Sequence, residues 1–315
     1  MPETVARAFS PAGISSFFEI CDSTANGTPI KNLEQVGSRG GGFGIQKGVL
    51  TEVIVSEAKT NCISIFINGK IAPEAKTTKT VAKTLLKKAN VPFKVTVKHK
   101  VDIPIGAGFG SSAAGALTTA LALSKALELP LTYNQIGRIA HVSEVQCKTG
   151  LGTVGPLMIG GCVLVVEPGA PEIGVIDRIP ISDNYVIVAG VLDSIPTEQV
   201  LTSPEKRRKA NLWGRKTLDA ILDEPSIENF MDSCLNFAEK AGFMTSRVKQ
   251  LVKLAKKAGA VGVAQNMVGE AVHVLVLEEN AENITEAFKK VLPNKKIFTA
   301  RIDFQGARLV KDEKV

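Results

Sequence analysis

The feature that most constrains the fold is residues 93–127, where a strand pattern leads into a glycine-rich turn and then into a helix pattern. Residues 93–103 alternate between apolar and polar side chains, which predicts a strand with one buried face. Three alternate glycines and two serines follow: Gly106, Gly108, Gly110, Ser111 and Ser112. A run rich in alanine and leucine comes next and predicts a helix whose first N–H groups are free to bind an anion.

The glycines suit a phosphate-binding loop because glycine accepts positive φ angles and has no Cβ to hold a ligand away. Serine hydroxyls at the start of the helix can bind phosphate or Mg²⁺. The spacing is not the G-x-G-x-x-G of a dinucleotide-binding fold, and no lysine follows the last glycine as in a P-loop. A loop that only turns a corner is the alternative, but the strand before it, the helix after it and the paired serines favour phosphate binding.

The composition excludes several classes of protein. Apolar residues make up 44% of the 315 residues and charged residues 22%, as in a globular protein. The net charge of +7 suits anionic partners, but the lysines are scattered and only 5% of residues are aromatic. We therefore expect no nucleic-acid partner. No apolar run approaches the roughly 20 residues of a membrane span, so we expect no membrane partner.

The cysteines and histidines indicate a reducing compartment. Five dispersed cysteines form no CxxC pair, which favours free thiols in the cytoplasm over disulfides or a zinc site. The N-terminal residues lack the apolar core of a signal peptide. With only three histidines, a histidine-based metal site is not expected. The subunit number is not fixed by the sequence, and a homodimer stays open.

The order of predicted elements changes between the two halves of the chain. The first half combines strands at 51–72 and 93–103, joined through an Asn68-Gly69 hairpin turn and a helix. The second half runs strand, three helices, two strands, helix and strand, an order typical of a ferredoxin-like unit. The sequence therefore predicts an α+β fold with domains 1–170 and 171–315, divided at a Pro/Gly-rich patch.

Residues 104–114 match the motif P-x-G-x-G-x-G-S-S-A-A at every position, and the chain thereby resembles the GHMP kinase family. The resemblance implies a two-domain α+β fold in which ATP, Mg²⁺ and a small acceptor meet in a cleft. Further blocks resemble the archaeal pantoate-kinase branch of the family, which implies pantoate as the acceptor and a place in coenzyme A biosynthesis. These blocks are residues 8–22, 37–44, 140–163 and 261–275.

The resemblance also assigns residues to the nucleotide and the metal. Those implied for the ATP phosphates are Pro104, Gly106, Ala107, Gly108, Gly110, Ser111, Ser112 and Ala113. Ser112 and Glu144 would hold Mg²⁺, which prefers oxygen ligands, and both count as catalytic. From the helix pattern alone, Glu144 would instead be a solvent-facing side chain.

Two motifs depart from the family pattern. Thr153 stands where many members carry a catalytic aspartate, so we expect it to orient the acceptor hydroxyl rather than to remove its proton. Phosphoryl transfer tolerates this change because it depends mainly on positioning and on charge stabilisation. Near the C-terminus, Gln265 and Asn266 replace glycines, which weakens a direct phosphate role for that loop.

A carboxylate-bearing acceptor needs a cationic group, and Arg39 is the candidate because a guanidinium binds a carboxylate through two hydrogen bonds. An exposed loop arginine is the equal alternative for this residue. Ser38 and Ser15 would add hydroxyls to the acceptor site, while Arg138 and Lys148 are weaker cationic candidates.

Three other functions stay open. The first is another GHMP kinase, with homoserine, shikimate or mevalonate as the acceptor. The second is a non-catalytic ligand sensor on the same fold, which should have lost the metal residues Ser112 and Glu144 that this chain retains. The third is a nucleic-acid-binding module, whose binding would weaken steeply with salt.

Overall fold

A computed structural model describes residues 3–193 and 203–311. Its strands form a sheet of eight and a sheet of four. The strands of the chain are β1 (Thr4–Cys21), β2 (Gly37–Glu57), β3 (Cys62–Ile67), β4 (Lys70–Ile71), β5 (Phe93–Val101), β6 (Cys162–Glu167), β7 (Val175–Ile179), β8 (Tyr185–Asp193), β9 (Gly262–Gln265), β10 (Glu270–Leu277), β11 (Ile297–Arg301) and β12 (Arg308–Val310). Helices cover both sheets, and the predicted α+β fold is confirmed.

Four of the eight described helices begin at a residue whose side chain caps them. They are α1 (Lys76–Leu86), α2 (Ser111–Ala126), α3 (Tyr133–Cys147), α4 (Val154–Ile159), α5 (Pro204–Asp223), α6 (Ile227–Lys240), α7 (Ser246–Lys257) and α8 (Ala281–Lys289). Thr132 accepts a hydrogen bond from the N–H of Gln135 and closes a capping box at the start of α3. Ser203 caps α5 in the same way, ahead of a proline in the first turn.

The large sheet is built on the antiparallel pair of β1 and β2, in the order β12-β1-β2-β5-β3-β4. Residues 68 and 69 form the predicted hairpin turn, with φ values of 49° and 78°. The glycine-rich stretch 37–44, where a loop arginine was the alternative for Arg39, is part of a strand that pairs with both β1 and β6. A Cβ at Gly42 would clash with the carbonyl of Ile14, so this stretch needs glycine to let β1 approach closely.

Helix α2 is the centre of the first core. It contacts β1 and β2 on one side and α1 and α3 on others, so residues Ala113–Leu123 are buried all round. This burial is possible because the polar residues of the stretch are threonines, whose hydroxyls can bond within the helix: Thr118 and Thr119 both donate to carbonyls one turn earlier.

The four-stranded sheet is antiparallel in the order β11-β8-β10-β9. Counted along the chain, this is the fourth, first, third and second strand, and the helices between them complete the predicted ferredoxin-like unit. Strands β7 and β12 belong to the large sheet, on either side of that unit in the sequence. The division of the chain at 170/171 stays a prediction.

Helix α5 joins the two parts of the structure along the free edge of β1. Asn211 accepts from the N–H of Ile20 at 2.8 Å and donates to its carbonyl at 3.1 Å, so its amide imitates a neighbouring strand. A Cβ at Gly214 would clash with the carbonyl of Phe18, so glycine permits the close approach of this helix. The C-terminal end of β1 is therefore held by β2 on one side and by α5 on the other.

Candidate active site

The glycine-rich loop has the conformation that its sequence predicts. Gly106, Gly108 and Gly110 have φ values of 79°, 80° and 63°, in the region that other residues rarely adopt. Gly110 is also the residue immediately before α2. A Cβ at Gly108 would come within 3.2 Å of the Asn266 Cβ, so the loop packs against the segment that links β9 and β10.

The first turn of α2 offers unpaired backbone donors. The first hydrogen bond into the helix runs from the N–H of Ala114 to the carbonyl of Gly110 at 3.0 Å. No side chain caps this helix. Within the described residues, the N–H groups of Ser111, Ser112 and Ala113 have no hydrogen-bond partner. Free N–H groups at the positive end of a helix dipole make a site for an anion.

This turn faces a cleft of about 200 Å³ that joins the two halves of the predicted site. The phosphate loop contributes Gly106, Gly108, Gly110, Ser111 and Ser112 to its wall, and the acceptor side contributes Ser15, Ser38 and Thr153. Residues 267 and 268, from the loop between β9 and β10, complete the wall. Among the residues predicted to touch phosphate, Pro104, Ala107 and Ala113 do not line this cleft.

Glu144 lies on α3 beside this turn and is buried, with 3% of its surface exposed, so the solvent-facing alternative is wrong. Its Oε1 accepts hydrogen bonds from the Ser112 hydroxyl at 2.5 Å and from the Thr149 hydroxyl at 2.7 Å. Burial raises the pKa of Glu144 above its ordinary value, and these two hydrogen bonds partly oppose the shift. Gly150 covers the second oxygen so closely that a Cβ there would clash with it.

The Glu144 site has the chemistry of an incomplete cation site. In residues 3–193 and 203–311, no lysine, arginine or histidine forms an ion pair with this carboxylate. A buried carboxylate normally needs such a partner. One carboxylate oxygen and the hydroxyls of Ser112 and Thr149 lie at the helix start where phosphate would bind, which fits a hard cation such as Mg²⁺. The described residues contain no cluster of three or more His, Cys, Asp or Glu side chains, so the remaining ligands would come from phosphate and water.

A second cavity, of about 230 Å³, lies on the other side of Ser111 and Ser112. Its wall combines apolar and polar side chains: Val49, Ile67, Val101, Ile105, Lys76, Thr77, Thr78 and His99. The His99 ring is bonded to the hydroxyls of Thr51 and Thr78, and burial lowers its pKa to about 4. This histidine is therefore neutral and buried.

Arg39 is engaged with a partner that the sequence did not indicate. Its guanidinium lies 2.7 Å from the carboxylate of Glu19, the residue opposite it on β1. Glu19 is 3% exposed and also pairs with Arg215 of α5, at 2.8 Å. Arg39 borders a small pocket next to the cleft, and its Nε is buried without a hydrogen-bond partner in the described part of the chain.

The two weaker cationic candidates lie outside the cleft wall. Arg138 forms ion pairs with Glu34 and Glu172 on the outer side of α3. Lys148 ends α3 in a left-handed conformation. Neither residue lines the cleft or the cavities beside it.

The loop between β9 and β10 is tied to β1 rather than built as a second glycine loop. The N–H of Met267 donates to the carbonyl of Ser15 at 2.7 Å. Behind it, the buried His273 ring lies 2.9 Å from both the Ser16 hydroxyl and the Asn266 side-chain oxygen. Burial lowers the pKa of His273 to about 3, so this histidine is neutral, and its two hydrogen bonds give it a structural role.

Comparison with known proteins agrees with this geometry. Residues 76–161 match the family model described as GHMP kinases N terminal domain. The chain is 36% identical over 283 residues to the pantoate kinase of Thermococcus kodakarensis, covering 88% of this chain and 89% of that protein. It is 30% identical over 281 residues to the pantoate kinase of Methanocaldococcus jannaschii, covering 89% and 96% of the two chains.

A solved structure described as "Phosphotransferase related to CoA biosynthesis pathway" superposes with a TM-score of 0.86 at 30% identity, over 97% of this chain and 98% of that one. Together, the phosphate loop, the cleft and these similarities define a kinase, and the chain belongs to the GHMP kinase family. As in that family, ATP is the phosphate donor and a small molecule is the acceptor. None of the described helices is both long and apolar enough to span a membrane.

The burial of Glu144 predicts a measurable cost in stability. Because the pKa of this carboxyl is raised in the folded protein, its contribution to stability is lost as the pH rises through that pKa. We expect metal-free Glu144→Gln to be more stable than the wild type at pH 7, by on the order of 1 kcal/mol. The difference should shrink toward pH 4.

Urea unfolding in the presence of EDTA, between pH 4 and pH 8, measures this difference. Glu279→Gln is the control because Glu279 is exposed on the surface. A Glu144→Gln protein that is less stable at every pH, or a difference that does not change with pH, would contradict the interpretation of Glu144 as an uncompensated buried charge.

Proposed function

We propose that the protein transfers the γ-phosphoryl group of ATP to the 4-hydroxyl group of (R)-pantoate and so forms (R)-4-phosphopantoate for archaeal coenzyme A biosynthesis. The observation that carries the proposal is the cleft in which unpaired N–H groups of α2 face the hydroxyls of Ser15, Ser38 and Thr153. The similarity to two archaeal pantoate kinases along almost the whole chain supports pantoate as the acceptor.

The nucleotide would lie across the start of α2. Its phosphates would accept hydrogen bonds from the N–H groups of Ser111, Ser112 and Ala113, and the glycines would let the loop backbone approach them. The nucleoside would occupy the cavity of about 230 Å³ on the far side of the two serines, where Ile67 and Ile105 offer apolar surface to a base. Ile105 is 59% exposed, so a bound base would remove apolar surface of this side chain from water.

Mg²⁺ would be held by the carboxylate of Glu144 and the hydroxyl of Ser112, with Thr149 orienting the carboxylate through its own hydrogen bond. When bound, the ion would neutralise charge on the phosphates and fix their position relative to the acceptor. The three side chains already lie together in the structure, so little rearrangement is needed to form the site.

The acceptor hydroxyl would be oriented by hydroxyl side chains. In the described part of the chain, neither an aspartate nor a glutamate lines the cleft around Ser15, Ser38 and Thr153. A carboxylate base is therefore not part of the proposed mechanism. The 4-hydroxyl would attack the γ-phosphorus in line, and its proton would pass to a phosphate oxygen or to water as the bond to the leaving group breaks.

We propose that Arg39 binds the acceptor carboxylate. The Arg39 side chain borders the pocket beside Ser38, and its buried Nε has a hydrogen atom that no described group accepts. Glu19 neutralises part of the charge, but Arg39 and Arg215 together exceed this one carboxylate by one positive charge. That excess suits a singly charged anion. A cytoplasmic location and a homodimer are kept as predictions.

A panel of acceptors tests the function. We expect ATP consumption with pantoate and none above background with homoserine, mevalonate or shikimate, because the acceptor site would match pantoate in charge and shape. The assay couples ADP release to NADH oxidation, and mass spectrometry identifies the product. Turnover with another acceptor would refute pantoate and keep the kinase, whereas no turnover with any of them would favour a ligand sensor.

The metal site is tested through the hydroxyls around Glu144. We expect Thr149→Val to weaken the apparent Mg²⁺ affinity by about 10–100-fold, the usual effect of losing a residue that orients a metal ligand. Ser112→Ala should lower kcat at least as much because it removes a ligand. Thr84→Val, which removes a hydroxyl bonded within α1, is the control. Near-normal rates for Ser112→Ala at low Mg²⁺ would show that the metal lies elsewhere.

The role of Arg39 is tested against that of Arg215. We expect Arg39→Ala to raise the acceptor KM by about 10–100-fold with little change in the ATP KM, following the roughly 1.5–3 kcal/mol of a hydrogen bond to a charged group. Arg215→Ala also removes a partner of Glu19, but the Arg215 side chain does not border the pocket. Equal effects of the two substitutions on the acceptor KM would assign Arg39 a structural role only.

A further inference from the structure

A small pocket of about 50 Å³ opens beside the phosphate cleft. The pocket and the cleft adjoin, because they share five wall residues, Ser15, Phe18, Ser38, Gly152 and Thr153. Beyond these residues, the pocket is walled by the apolar side chains of Pro156, Leu157, Val163 and Val165. We call this space the valine pocket. A group bound in it would lie directly beside an acceptor hydroxyl held at Ser15 or Thr153.

The pairing of β6 with β2 explains why the valine pocket is open. Val163 lies opposite Gly42, and Val165 lies opposite Gly40. In a sheet, the side chain opposite is the one that normally covers a residue. Because glycine has no side chain, β2 contributes no side chain opposite these two valines.

The two valines are also separate from the hydrophobic core. They are only 2% and 7% exposed, yet neither belongs to the clusters of packed core residues in the described chain. The alternate residues of the same strand, Cys162 and Leu164, do belong to the core. Since successive side chains of a strand point to opposite faces, β6 turns one face to the core and the other to the pocket.

The size and lining of the valine pocket define what it can hold. A single water molecule needs about 10–15 Å³ of such space, so the pocket accommodates a group of a few atoms and no ring. Its polar groups are Arg39 and the hydroxyls of Ser15, Ser38 and Thr153, and the rest of the wall is apolar. Against the apolar part, a charged or polar group would lose its hydration without gaining a hydrogen bond. A small branched hydrocarbon group is the best match.

We propose that the valine pocket holds the two methyl groups on C3 of pantoate, and so selects an acceptor with a fully substituted carbon next to the phosphorylated CH₂OH group. This inference rests on the proposed function. The geometry connects the two parts of the molecule, because C3 is bonded to the carbon that carries the reacting hydroxyl. Homoserine has only hydrogen atoms at the corresponding carbon and would leave the pocket empty.

The experiment compares kcat/KM for pantoate with that for 2,4-dihydroxybutanoate, which has the same chain without the two methyl groups. For the wild type we expect a preference for pantoate of at least 10-fold, since one methylene group in an apolar pocket is worth about 10–200-fold. Val165→Ile fills the pocket and should lower the preference at least 10-fold, mainly by impairing pantoate. Val166→Ile, the same change on the opposite face of β6, should leave the preference unchanged.

A second variant protects the test against misfolding. If Val165→Ile does not fold by circular dichroism, Val165→Ala should lower kcat/KM for pantoate several-fold and leave that for the analogue unchanged. Equal use of both acceptors by the wild type, or a preference that neither Val165 variant alters, would overturn the valine-pocket proposal while the kinase function stands. Phosphorylation of neither acceptor would instead overturn the proposed function.

Discussion

The close packing of α2 between the large sheet and its neighbouring helices is the constraint on which the site depends. A chain of buried hydroxyl and imidazole groups fixes this helix: Thr118 contacts Thr51 at 2.5 Å, Thr51 contacts His99 at 2.7 Å, and His99 contacts Thr78 at 3.0 Å. The chain joins α2, β2, β5 and α1. These contacts hold the start of α2 in place beside the cleft, so its unpaired N–H groups are positioned before any ligand binds.

The parts of the structure that the sequence predicts are those decided by neighbouring residues. The positive φ values of the glycine loop, the Asn68-Gly69 turn and the Thr132 cap each depend on a few adjacent side chains. The strand at 37–44 was missed because a glycine-rich stretch has no strand pattern, so its pairing with β1 and β6 has no local signal. Glu19, the partner of Arg39, and Thr149, a partner of Glu144, were missed because neither residue has a sequence signal that points to its partner.

The buried carboxylate of Glu144 shows how the site exchanges stability for function. A glutamate without a cationic partner disfavours folding at neutral pH, and the hydrogen bonds from Ser112 and Thr149 offset only part of that cost. Yet the same burial excludes competing counter-ions and orients the oxygen that would face a metal. A lysine beside the Glu144 carboxylate would pair with it and stabilise the protein, but it would also occupy the place of the metal ion. The unfavourable charge therefore indicates a functional role for Glu144, because packing alone gives no reason for a buried carboxylate.

Acceptor selection has to come from a different part of the molecule than phosphate binding. In the proposed phosphate half of the cleft, backbone N–H groups would donate hydrogen bonds to the phosphates. Such groups bind any phosphate ester equally well and do not distinguish one acceptor from another. The proposed acceptor half lies among β1, β2 and β6, and the close approach of β1 to β2 requires glycines at 40 and 42. Those glycines also leave β2 without a side chain opposite Val163 and Val165. A single requirement of strand packing thus creates the apolar pocket, and small changes in that strand pair would redirect the same phosphate chemistry to another acceptor.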